Sequence, residues 1–506
     1  MKARVGAAAL ALGALLVSGC TPQPAPPAPA VPGGQQAAGS PSPTPTPRPD
    51  RDFTVGTTDA ITTVDPAAMT TGASQAVAFS VFQRLMTTQA GDDVLKPDAA
   101  RDCIFEQDTI YTCTLLDGLR FHSGAPVTST DVKYSIERAR RLNVPGSSAP
   151  QLAAISSIET PDPQTVRFRL RYPDTDIGYG LASPAASIVD PSAYPADRVA
   201  DASTTPSGSG PYRYMASGKG VWTFARYTSY QGRTPASIVR VVLREYASSA
   251  DLETAMTAGD VDAAWRGLDA AATTRQRHTA TVQGDQSMYV SVVAKDARVI
   301  RLEWDRGSAL TGNAALRSFV NAAVADRRTL TSIMPTGITG SREGLYPAGG
   351  RPTAKAPSTP TKLVLGYDPT MPDGADLAAA LARSIEATKG ATVTVKAGGP
   401  GIDLWLVDTR AATWTPRAWL QDYTQVTGAP HAKAVATMMT SGLTSSDQPT
   451  RTAATSTIQE YAAEDAYVTP LSQQDEVVFV RRGFQVDLGR LGPGWQLDLA
   501  AFSQNS

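Results

Sequence analysis

The sequence predicts an α/β fold with mixed sheets covered by helices and enough chain for two lobes, on three observations. About 455 of the 506 residues follow a proline-rich spacer, too many for one hydrophobic core and enough for two. Between Lys362 and Val407 the pattern runs strand, helix, strand, strand, which is the order of β-α-β units. And "DGLRFHSGAPVTSTDV", Asp117 to Val132, passes from strand chemistry through a turn to a helix start.

Taken in order, the chain opens with Lys2 and Arg4, then an unbroken small and apolar run from Val5 to Val17. That run is a secretion signal, too short to span a bilayer, which needs about 20 apolar residues. It stops at Val17-Ser18-Gly19-Cys20, which resembles a bacterial lipobox. Residues 1–19 are then a lipoprotein signal peptide, and Cys20 is an acylated N-terminus that tethers the rest outside the membrane. An ordinary cleavable signal followed by a chance cysteine is the alternative. From Thr21 to Asp50, eleven of thirty residues are proline, with no apolar period to build a core. Residues 20–50 therefore read as lipidated cysteine and extended spacer. No later apolar run is long enough for a second crossing.

Cys20 apart, Cys103 and Cys113 form an even pair for an oxidising compartment. The residues between them centre on Asp108, which sets the two cysteines opposite each other on a hairpin and predicts a disulfide. Two buried free thiols are the alternative; a metal pair lacks a nearby histidine before His122. The net charge of -1 gives no electrostatic reason to bind nucleic acid.

In the stretch from Ile110 onward, Ile110–Leu116 and Leu119–Phe121 read as strands broken at Asp117-Gly118. Ser123-Gly124-Ala125-Pro126 is turn chemistry, and Thr128 with Asp131 makes a capping box for a helix that carries Val132, Ile136 and Ala139 on one face. Lys133, Glu137 and Arg141 line another at i, i+4 spacing. The hydroxyls and acids of this stretch are thus spent on caps and turns. His122 is one of only three histidines, with His278 and His431, and no G-x-S-x-G, H-E-x-x-H or G-x-x-x-x-G-K-[ST] pattern occurs. It reads as structural, and no catalytic residue, metal site or cofactor is expected.

These residues also carry a resemblance. "LLDGLRFHSGAPVTSTDVKYSIERA" resembles the signature of the family 5 extracellular solute-binding proteins, the oligopeptide-, dipeptide- and nickel-binding receptors of bacterial ABC importers. Four further blocks match the family in the same order: "TTVDPA" at Thr62–Ala67, "GSGPYRY" at Gly208–Tyr214, "LETAMTAGDVDAA" at Leu252–Ala264 and "NAALRSFVNAAVADRRTL" at Asn313–Leu330. The resemblance implies the large family 5 variant of the type II periplasmic-binding-protein fold, with an interlobe cleft. Lobe one would take residues 51–285, with 475–506 returning to it, and lobe two 286–474. It further implies a monomeric receptor on the outer face of the cell membrane. Such a receptor delivers a small peptide or peptide-like ligand to a permease and its ATPase, without enzymatic activity.

In peptide-binding relatives an aspartate in lobe two pairs with the peptide's amino terminus. Here the matching stretch is "DTRAATWTPRAWL", Asp408 to Leu420, where that aspartate's position falls near Ala412 and the following D-P has become Thr415-Pro416. The family's L-x-F-N stands as "LEWD", Leu302 to Asp305. The ligand candidates are therefore Trp304, Asp305, Asp408, Trp414 and Trp419, with Trp405 assigned to the core of a buried strand. The altered motif and a short second lobe leave open another class of function: a transport-inactive, partner-binding envelope lipoprotein of the same fold.

Overall fold

Fourteen strands, labelled in chain order, carry the fold of this computed structural model. It describes residues 51–88, 94–349, 355–410, 413, 415–426, 428–492 and 496–505. The signal run, Cys20, the spacer and Trp414 lie outside the described residues. The strands are β1 (Phe53–Thr57), β2 (Ala100–Gln107), β3 (Ile110–Leu115), β4 (Ile155–Glu159), β5 (Thr165–Leu170), β6 (Tyr212–Gly218), β7 (Val221–Arg226), β8 (Arg240–Glu245), β9 (Ala263–Ala264), β10 (Tyr289–Trp304), β11 (Thr361–Tyr367), β12 (Ala391–Ala397), β13 (Leu404–Thr409) and β14 (Val468–Arg481). Ten of them form one mixed sheet in the order β12-β11-β13-β10-β14-β9-β1-β8-β7-β6, and β2-β3-β5-β4 form a second.

The β-α-β reading of the 362–407 region holds. β11 pairs parallel with both β12 and β13. The intervening helix, Gly374–Ala387, buries Ala378, Leu381, Ala382 and Ile385 against the sheet. This layer belongs to a core that also holds Leu302, Phe319, Leu365, Leu406 and Ile458. Two other cores lie outside this layer: Phe53, Val55, Phe82 and Trp265 with the returning C-terminal Val480 and Phe502 in one, Leu115, Phe121, Ile136 and Phe168 in the other.

Among the described strands, β10 and β14 run through both regions, and both are irregular at the same place. Tyr289–Ala294 pairs with Arg481–Glu476, the register shifts between Ala294 and Arg298, and pairing resumes from Arg298 with Gln474. Asp296 takes a left-handed φ of 56° within that bulge. A bulge kinks and twists a ladder. The sheet is thus continuous, yet bent where its cover changes from one core to the next.

The opening stretch behaves as a capped helix start. Thr128 donates its backbone N–H (2.8 Å) and hydroxyl (2.7 Å) to the Asp131 carboxylate, and the helix Ser129–Leu142 buries Val132, Ile136 and Ala139. Lys133 and Glu137 sit 3.9 Å apart on its exposed side. The expected strand Leu119–Phe121 does not form. Gly118 and Gly124 both have positive φ and close the segment into a tight loop in which Phe121 N–H bonds Ala125 O at 2.9 Å. Only the bridge Arg120–Pro126 remains of ladder pairing there.

Cys103 and Cys113 face each other across β2 and β3 and are joined by a disulfide. Two of the sequence blocks are spent on packing of the main chain. Asp65 of "TTVDPA" is fully buried, receives both Arg138 Nη groups at 2.8 and 2.5 Å, and accepts the Ala200 N–H at 2.7 Å. Gly210 of "GSGPYRY" donates to Val81 O at 2.9 Å, and a Cβ there would stand 2.6 Å from the Val81 carbonyl carbon.

Candidate ligand-binding cleft

A row of alternating charges crosses the bend between the two regions, contributed by residues in or just after five strands. After β1 comes Asp59, whose carboxylate accepts the Ala73 N–H at 2.9 Å. Burial pushes its pKa up, opposed by Arg266. After β9 comes Arg266, its guanidinium 4.2 Å above the Trp265 ring and its Nε donating to Glu476 at 2.7 Å. Glu476, in β14 at the bend, also accepts Arg410 Nε at 3.0 Å. Burial alone would raise the Glu476 carboxyl, but the two guanidiniums outweigh it and hold it at about 2. Arg410 in turn lies 3.2 Å from Asp408 at the end of β13, and Asp408 lies 3.4 Å from Arg298 of β10. Arg266 is pulled below its ordinary pKa by burial and by Arg410 beside it. Each charge is tolerable here because its neighbour is opposite; an isolated buried one would not be.

This row forms one end of a cavity of about 1030 Å³. At the other end Trp405 Nε1–H donates to Asp305 Oδ2 at 3.0 Å, and Asp305 also accepts the Gly307 N–H at 2.8 Å. Trp304 lines the same space with only 5% of its surface exposed. At the rim, Asp373 accepts the N–H of Ala270, the first residue of the helix Ala270–Gln283, at 2.8 Å. A carboxylate at a helix N-terminus meets both an orphan donor and the positive end of the dipole. Away from this space a second cavity, of about 470 Å³, is lined by Asp176, Tyr179, Arg417 and Arg451. There Arg417 reaches across to the fully buried Asp174 at 2.6 Å, and burial together with Asp174 pushes Asp176 up to about 6.

Of the residues singled out from sequence, Trp304, Asp305 and Asp408 come together in the larger cavity. Trp419 does not. On the helix Pro416–Thr424 it is 1% exposed and packs into the same core as Leu420 and Tyr423, because the apolar stripe of that helix faces inward. Trp405 corrects the expectation in the other direction. Leu404 and Leu406 are the buried face of β13, so the alternation turns Trp405 to the cavity. Sequence reasoning missed Asp59, Arg266, Arg298, Arg410 and Glu476, all of which line it. The i, i+2 pair Asp408 and Arg410 was the readable signal.

His122 is a packed residue. Its ring meets Tyr227 edge-on at 4.8 Å and its Nε2 lies 3.0 Å from Gly210 O. Burial lowers its pKa to about 4, so the ring is neutral at physiological pH and Nε2 carries the proton donated to that carbonyl.

The chain matches the family described as bacterial extracellular solute-binding proteins, family 5 Middle, over residues 94–371, more than half its length. It is 29% identical over 212 residues to the probable D,D-dipeptide-binding periplasmic protein DdpA of Escherichia coli K12, 40% of each chain. It is also 29% identical over 163 residues to the glutathione-binding protein GsiB of Salmonella typhi, 32% of each. The matched part thus spans well under half of these curated relatives. Among solved structures it resembles DppA of Helicobacter pylori in complex with the peptide STSA, with a TM-score of 0.75, 18% identity, and 90% of this chain and 98% of that one covered. It resembles equally the binding protein AgaA of A. tumefacien R10 in complex with agropinic acid, with a TM-score of 0.76, 18% identity, and coverage of 90% and 99%. At these identities the likeness is one of fold: two lobes joined by crossing strands.

Proposed function

Because this chain belongs to the bacterial extracellular solute-binding proteins, family 5, we propose that it captures a peptide or peptide-like solute in the cavity at the bend of its large sheet and presents it to an ABC permease and ATPase. The observation that carries this reading is the cavity itself. It draws Asp59 and Arg266 from the first region, Trp304, Trp405 and Asp408 from the second, and Glu476 from the strand that joins them. A ligand touching both regions stabilises their closed arrangement by its differential affinity, and the closed form is what a permease can recognise. The core change along β10 and β14 supports lobes of about the extent expected, 51–285 with 475–506, and 286–474.

In this reading Cys20 is acylated and the spacer holds a monomeric receptor off the outer face of the membrane. The test is a thermal-shift screen of the full chain carrying Cys20→Ser against di- to pentapeptides. Stabilisation by a defined subset supports capture. A flat response across the library favours the transport-inactive, partner-binding reading.

A further inference from the structure

Resting on the receptor reading, we infer that the cavity holds its solute by a carboxylate, received by Arg266 at the bend, and does not select for a free ammonium group. A polar group left unmet in the cavity is the reason. Arg266 Nη2 is buried and has no hydrogen-bond partner among the described residues, although Nε is committed to Glu476. A buried donor left unpaired is costly, most of all a charged one, so the corner of the cavity at Arg266 suits an acceptor oxygen.

The carboxylates lining the cavity already have donors or guanidiniums beside them. Glu476 gives one oxygen to Arg266 and the other to Arg410. Asp408 lies between Arg298 and Arg410 at 3.4 and 3.2 Å; its Oδ1 and Arg298 Nε face each other as an ion pair without hydrogen-bond alignment. Asp305 accepts from Trp405 and Gly307, Asp59 from Ala73, and the rim acids Asp373, Asp368 and Asp475 from Ala270, Thr370 and Asp296.

The surroundings of Arg266 are shaped for an anion. Stacking on Trp265 fixes the plane of the guanidinium, which pre-organises its fork for a carboxylate. Its Nη1 sits 2.1 Å from where a Cβ on Gly72 would stand, so glycine there is what lets the guanidinium lie against the start of the helix Gly72–Val81. At the far end, Trp405 offers an aromatic face to the body of the solute. The solute class is a small carboxylic acid, its amino end acylated or absent without loss.

The test is calorimetry on the full chain carrying Cys20→Ser, using alanine- and phenylalanine-containing di- and tripeptides in unblocked, N-acetylated and C-amidated forms. N-acetylation should leave affinity nearly unchanged, while C-amidation should weaken it about 10- to 100-fold, the loss of a charge-assisted hydrogen-bonded pair. Arg266→Gln, its fold verified by circular dichroism, should erase the difference. Should that variant not fold, Arg266→Lys keeps the charge, loses the fork, and should weaken only the forms with a free carboxylate. Equal binding of amidated and unblocked forms overturns the inference, as does loss on acetylation with either Arg266 variant behaving as wild type. If no peptide form binds, the peptide reading fails by itself, and thermal shifts with benzoate and indole-3-acetate decide this one. Stabilisation of wild type but not of the Arg266 variant upholds it, and no stabilisation overturns it.

Discussion

Replacing Arg417 by methionine should unlatch the two lobes. Arg417 stands on the helix Pro416–Thr424, packed in the second core, and reaches Asp174 in the first part of the chain at 2.6 Å. Asp174 is fully buried and the arginine side chain is 13% exposed, so little water screens the pair. Removing one partner of a buried pair costs about 3–5 kcal/mol, because the other charge is left uncompensated. The cost is taken to fall on the closed arrangement, with Asp174 returned to water on opening. Taking the lower bound for the partial exposure, about 3 kcal/mol lowers the closed-to-open ratio roughly 150-fold. Methionine keeps most of the apolar stem, so the charge is what is tested. Small-angle scattering of the ligand-free Cys20→Ser chain should show a larger radius of gyration for Arg417→Met. Arg417→Met with Asp174→Asn should recover part of the closure, because no unpaired charge remains. Identical scattering curves for wild type and the single variant would refute the latch. A double variant as open as the single one would show that the uncompensated charge is not its cause.

Asp65→Asn should lower unfolding free energy by about 3–5 kcal/mol, read from urea denaturation, because it breaks the buried two-pronged pair with Arg138; a change under about 1 kcal/mol contradicts that role. Reducing the Cys103–Cys113 disulfide should cost about 3 kcal/mol in the chain-entropy picture, measured by denaturation with and without reductant. His122, lowered by burial from 6.5 to about 4, stays neutral in the folded state while the unfolded chain takes up a proton at higher pH. Its contribution to stability is therefore complete above pH 6.5 and lost as pH falls from there toward 4. Its ring proton resonance should titrate near pH 4, and a midpoint between 6 and 7 would contradict its burial.

What the sequence made legible was local. The strand expected at Lys362–Tyr367 begins one residue earlier, at Thr361, and the helix that follows buries Leu381 and Ile385 as its period requires. The capping box at Thr128 and Asp131 formed because both partners lie within one turn. The charge row was not legible, because Asp59, Arg266, Asp408 and Glu476 come from strands far apart in the chain that the sheet brings side by side. Two tryptophans were misassigned although the parity was there to read. Trp405 alternates with buried leucines and so faces away from them, while Trp419 shares a helical stripe with Leu420 and Tyr423 and so faces the core. The Leu119–Phe121 strand failed because a glycine turn on each side leaves it too short to pair.

The central claim is that the cavity between Arg266 and Trp405 is occupied by a carboxylate-bearing solute when the protein works. Native mass spectrometry of the full Cys20→Ser chain, as isolated and again after partial unfolding and dialysis, tests it most directly when run beside Arg266→Gln. The account predicts a defined small-molecule mass excess on the wild-type chain, lost on unfolding and absent from the variant. A chain that is bare in both forms and takes up no carboxylate on reconstitution, or a mass excess that Arg266→Gln retains in full, would contradict it.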